Sequence, residues 1–96
     1  RDALYWNTTG PGNSALGVNA LRANTTGTNN ASIGENSMYV NTTGSGNAAL
    51  GQGALMNNTS SSNNSAVGHK ALKFSTGGNN TGVGFNAGQN ITTGSN

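Results

Sequence analysis

The stretch Asn7-Thr8-Thr9-Gly10-Pro11-Gly12-Asn13-Ser14-Ala15-Leu16-Gly17-Val18-Asn19-Ala20-Leu21-Arg22-Ala23 decides the fold, because it recurs along the 96-residue chain. Its opening returns as Asn24-Thr25-Thr26-Gly27 and Asn41-Thr42-Thr43-Gly44, then loosely as Asn58-Thr59-Ser60-Ser61 and Ser75-Thr76-Gly77-Gly78, each start 17 residues after the last. A fixed period of this size marks a chain that stacks one small unit on itself, each unit covering its neighbour. The units are 7–23, 24–40, 41–57, 58–74 and 75–90, with partial units at 1–6 and 91–96.

Inside the unit, an aliphatic slot holds Leu16, Ile33, Leu50, Val67 and Val83, and a glycine follows each one. A second pair of slots holds Ala20-Leu21, Ser37-Met38, Ala54-Leu55, Ala71-Leu72 and Ala87-Gly88. The last full unit is one residue short near Gly78-Asn79-Asn80, which places the loss in a loop, where length changes are tolerated. Both ends fall within a unit and the first residue is not Met, so the 96 residues read as a window on a longer fibre.

Gly and Asn recur too densely for helices, whereas Ser14-Ala15-Leu16, Ala31-Ser32-Ile33 and Ala48-Ala49-Leu50 are short and bounded by Asn or Gly, as strands are. Each unit is expected to give one or two short strands, with Asn-Thr-Thr-Gly as a turn and the glycine after the aliphatic slot as a bend. The fold class is all-β, a repetitive parallel β-solenoid or β-roll. In-register stacking would align Asn13, Asn30, Asn47, Asn64 and Asn80 into an amide ladder.

Composition limits the alternatives. Only 31% of residues are hydrophobic and 6% are charged, a balance that ordinarily predicts disorder, yet the apolar residues stay in phase and the net charge is only +2. Cysteine is absent, so disulfides and thiolate metal sites are excluded, and no apolar run is long enough for a membrane helix. Two large aliphatics per unit make a thin core for one chain. Several chains sharing an axis could merge their Leu and Ala stripes, so a homotrimer is expected, with end-to-end stacking of repeats.

The runs Asn-Ser-Ala-Leu-Gly-Val-Asn-Ala (13–20), Asn-Ala-Ala-Leu-Gly-Gln-Gly-Ala (47–54) and Asn-Ser-Ala-Val-Gly-His-Lys-Ala (64–71) resemble the head repeat of trimeric autotransporter adhesins. The intervening Asn-Thr-Thr-Gly is similar to repeats of bacteriophage and virus tail fibres. The resemblance spans the chain and implies a left-handed parallel β-roll, assembled as a trimer, serving as stalk or receptor-binding head. The expected location is extracellular, on a cell surface or a virion.

No catalytic constellation stands out. His69 is the only histidine and Asp2 and Glu35 are the only acids, so acid–base pairs, zinc sites and Ser-His-Asp triads lack members. His69 reads as an exposed variable position beside Lys70. Gly82-Val83-Gly84-Phe85-Asn86-Ala87-Gly88 is the fifth unit and not a phosphate loop, since it lacks the strand–helix context. The expectation is a non-enzyme with no catalytic, cofactor-binding or metal residues. No cofactor, no nucleic-acid partner and no membrane insertion are expected either.

Arg22, Lys70 and Lys73, with Tyr39, Phe74 and Phe85, are too sparse for a nucleic-acid stripe. Arg22, Tyr39, Met56, Lys73 and Gln89 share one slot and should lie along one line, as solvated decoration or as a weak lateral or receptor contact. Two alternatives complete the reading. Sequons at Asn7, Asn24, Asn41, Asn58 and Asn90 allow a glycosylated filament, and regular threonines allow an ice-binding solenoid, although a flat face would favour Thr-X-Thr. A cell-surface receptor or glycan is the expected partner beyond the chain itself.

Overall fold

The computed structural model describes residues 2–89. Five three-residue strands, β1 (Ser14–Leu16), β2 (Ala31–Ile33), β3 (Ala48–Leu50), β4 (Ser65–Val67) and β5 (Thr81–Val83), form one parallel sheet in the order β1-β2-β3-β4-β5. Strand order equals chain order, so each unit is one rung of a parallel β-solenoid, and no helix is present among the described residues. Register follows the repeat: Ser14 pairs with Ala31, Ala31 with Ala48 and Ala48 with Ser65. At the last step Ser65 pairs with Thr81, and the missing residue is absorbed between Ser75 and Asn79, inside a turn.

Each rung is held to the next by backbone hydrogen bonds on every side. Ser14 N donates to Asn30 O at 2.9 Å, Leu21 N to Ser37 O at 3.1 Å, and Thr25 N to Thr42 O at 3.0 Å. Such rung-to-rung pairing satisfies donors that one isolated unit would leave open.

The chain turns back after each strand through a column of glycines. Gly17, Gly34, Gly51 and Gly68 have φ between 126° and 134°, and a Cβ on Gly34 would lie 2.6 Å from Gly51 C. Only a residue without Cβ fits both the dihedral and the close stacking. Further on, Leu21, Met38, Leu55 and Leu72 adopt the left-handed conformation, with φ of 49–52°. This is costly for a branched or long side chain, by ~1–2 kcal/mol per residue. It aims each of these side chains inward, where all four are fully buried.

The interior therefore contains Leu21, Met38, Leu55 and Leu72, with small residues packed beside them: Ala20, Ala49, Ala54, Ala66 and Ala71. In the second rung two of the small positions are serines, and they satisfy each other: Ser32 Oγ lies 2.5 Å from Ser37 Oγ, and Ser37 Oγ donates to Gly34 O at 2.9 Å.

Two columns of asparagine amides line the same interior. The expected ladder is present: Asn30 N donates to Asn13 Oδ1, Asn47 N to Asn30 Oδ1, Asn64 N to Asn47 Oδ1 and Asn80 N to Asn64 Oδ1, each at 2.9 Å. A second ladder runs through the Asn-Thr-Thr-Gly signature itself. Asn24 Nδ2 donates to Asn7 Oδ1 at 2.7 Å, Asn41 Nδ2 to Asn24 Oδ1 at 2.9 Å and Asn58 Nδ2 to Asn41 Oδ1 at 3.0 Å. Each of these amides also ties its own turn, as when Asn41 Nδ2 reaches Gly44 O at 3.1 Å.

Candidate functional site: the outer face of the stacked strands

Along a strand successive side chains point to opposite faces. Asn13 points inward, where its amide donates to Gly10 O at 2.9 Å and Gly27 O at 2.7 Å. Ala15, two residues on, shares its side, and Leu16 is sent outward. Every strand repeats this, with an exposed–buried–exposed pattern from β2 to β5.

The aliphatic slot consequently forms an outer column. Ile33, Leu50 and Val67 remain 43%, 47% and 40% exposed even though a rung stacks on both sides of each. Beside them runs a second outward column of small residues, Ser14, Ala31, Ala48, Ser65 and Thr81, all exposed. None of these ten side chains is charged. Within the single chain Leu21, Met38, Leu55 and Leu72 fill the core, while the Leu16 column lies outside it.

One edge of this face carries the column Val18, Glu35, Gln52, His69 and Phe85. Gln52 Nε2 donates to Glu35 Oε1 at 3.0 Å, and the His69 ring stacks on Phe85 with centroids 5.1 Å apart and planes 7° from parallel. His69 is therefore half-buried by its neighbour and not the simply exposed position expected of it. Asp2, Glu35 and His69 do not converge, and among the described residues no group of three or more His, Cys, Asp or Glu side chains could hold a metal ion.

The slot containing Arg22, Tyr39, Met56, Lys73 and Gln89 does run in line along the rod, and all five are half-buried. Arg22 Nη1 approaches Tyr39 OH at 3.4 Å and its guanidinium lies 5.3 Å from the Tyr5 ring centroid, while Lys73 Nζ sits 5.1 Å from the Phe74 ring. Arg22 and Lys73 thus each lean on an aromatic neighbour.

The first of the two threonine columns turns its hydroxyls to the backbone, with Thr8, Thr25 and Thr42 donating to the carbonyls of Thr25, Thr42 and Thr59 at 3.1–3.2 Å, while Thr9, Thr26 and Thr43 beside it are exposed. Among the sequons, Asn24, Asn41 and Asn58 are fully buried and their Nδ2 atoms are ladder donors, so the folded chain offers no access for a glycan there. Asn90 lies outside the described residues. No described helix is long and apolar enough to cross a membrane.

Sequence reasoning missed two features of this surface. It did not separate inner from outer aliphatics, and it did not see the Asn7 column, which it took for turn punctuation. Parity was the available signal, because Asn13 and Leu16 stand an odd number of residues apart and cannot both face inward along one strand. Compared with known proteins, the chain matches no family model, no curated protein and no solved structure. The class defined by fold and surface is a tandem-repeat parallel β-solenoid with an aliphatic column on the outer side of its strands.

Proposed function

We propose that this chain is a structural segment of an extracellular or virion-surface fibre, which spaces and displays a host- or surface-binding tip, and that it assembles as a homotrimer with its strand faces turned to a shared axis. The observation that carries the reading is the outer column Leu16, Ile33, Leu50, Val67 and Val83, exposed beside a second strand column that is also uncharged. A contiguous apolar strip on an otherwise Asn-, Ser-, Thr- and Gly-rich surface is the kind that association covers. Copies of one chain fit it well, because parallel neighbours bring the same 17-residue period to each other row by row. Cyclic symmetry closes such a contact without leaving a stripe exposed. Three is the number favoured by the resemblance of the runs at 13–20, 47–54 and 64–71 to the head repeats of trimeric adhesins.

Stiffness supports the spacer role. Backbone and amide hydrogen bonds link each rung to the next, so bending the rod breaks several bonds together. A self-assembling filament is the second reading; it uses the same stacking, and its glycosylated form is disfavoured by the burial of Asn24, Asn41 and Asn58. An ice-binding surface is disfavoured because the hydroxyls of Thr8, Thr25 and Thr42 are bonded to backbone, which leaves Thr9, Thr26 and Thr43 as a single exposed threonine column rather than a paired one.

Sedimentation equilibrium tests the assembly. The native protein should sediment as three chains, and the double variant I33E/L50E should sediment as one chain with its β circular dichroism intact. A native protein that is monomeric at all concentrations would contradict the proposal.

A further inference from the structure

The fifth rung departs from the others at one seam, where two fully buried side chains stand unmatched. In the Asn7 column each amide oxygen accepts from the amide of the rung above, until the column stops at Ser75. Asn58 Oδ1 is left buried without a partner. In the Asn13 column, Nδ2 of Asn13, Asn30 and Asn47 donates to the carbonyls of Gly27, Gly44 and Ser61 at 2.7–2.9 Å. The next acceptor in that series would come from the shortened turn after Ser75, and Asn64 Nδ2 is buried without a partner.

Turning either amide over does not help. Asn58 Nδ2 already donates to Asn41 Oδ1 and Ser61 O at 3.0 and 2.9 Å, and Asn64 Oδ1 already accepts from Asn80 N at 2.9 Å. The two unmatched atoms belong to one rung; in the first rung the equivalent Asn13 Nδ2 donates directly to Asn7 Oδ1 at 3.4 Å, a bond that Asn64 Nδ2 and Asn58 Oδ1 do not make.

We infer that the seam between rungs four and five binds one structural water, which donates to Asn58 Oδ1 and accepts from Asn64 Nδ2. The chemistry suits water and little else: the site pairs one neutral acceptor with one neutral donor, with no charge to recruit an ion. Serine in place of asparagine removes an amide group, a loss on the scale of the ~30 Å³ that a water occupies in the liquid. Unmatched buried amides are destabilising, and one water with two partners relieves both.

The test is water-to-amide cross-relaxation by NMR on the isotope-labelled protein. The Asn64 side-chain amide should show a contact to a long-lived water, whereas Asn47, whose amide is bonded to Ser61 O, should show none. The variant S75N supplies the missing donor to Asn58 Oδ1 and fills the space, so it should abolish that contact and raise Tm by a few degrees. Absence of the contact in the unmodified protein overturns the inference, and so does its persistence in folded S75N. Should S75N fail to fold, the spectrum of the unmodified protein decides alone.

Discussion

Two aliphatic columns run the length of this stack of rungs, a few residues apart in each unit, and they meet opposite fates. Leu21, Met38, Leu55 and Leu72 are completely buried, each in a left-handed backbone conformation that turns it inward. Leu16, Ile33, Leu50, Val67 and Val83 sit on regular strands and face out. In a 17-residue rung, hydrophobicity alone does not choose the inner residue; hydrogen bonding does. The Asn13 amide must lie inside to bond Gly10 O and Gly27 O, and strand alternation then expels Leu16.

The comparison breaks hardest at the amide wall. Asn41→Leu removes the donor to Asn24 Oδ1 and Gly44 O and the acceptor of Asn58 Nδ2. At about 1–3 kcal/mol for each buried group left unmatched, the variant should lose most of its cooperative transition in chemical denaturation. Retention of the parent midpoint would mean that the column does not support the fold.

Leu55→Ala against Leu50→Ala is the sharper pair. The inner truncation should cost about 2–5 kcal/mol in denaturant titrations. The outer one should change the stability of the dissociated chain by no more than about 0.5 kcal/mol, while weakening association. Equal costs at the two positions would erase the distinction between the columns.

The buried serines of the second rung give a smaller effect. Ser32→Ala or Ser37→Ala alone should cost about 1 kcal/mol, and the double variant should be less destabilised than the sum, because the partner hydroxyl is removed as well. A double-mutant cycle without coupling would show that the two hydroxyls act independently.

Much of this fold was legible in the sequence. The 17-residue period gave the rungs, and the short runs 14–16, 31–33 and 48–50 are the strands. The Asn13 ladder and the loop that absorbs the short fifth unit were also readable. The facing of the Leu16 column was not, because its composition matches that of a core and only parity with Asn13 distinguishes it. Neither was the Asn7 ladder: Asn-Thr-Thr-Gly reads locally as a turn, and its amides gain partners only when rungs stack. The left-handed conformation of Leu21, Met38, Leu55 and Leu72 was equally hidden, since leucine and methionine give no local signal for it.

The most direct test of the account is methyl NMR with a soluble paramagnetic agent, read at low and high protein concentration. Methyls of Ile33, Leu50 and Val67 should broaden in the dilute, dissociated protein and become protected on association, while those of Leu55 and Leu72 stay protected throughout. Equal broadening of both columns, or protection of Leu50 in the dissociated chain, would contradict the division between an inner core and an outer aliphatic column.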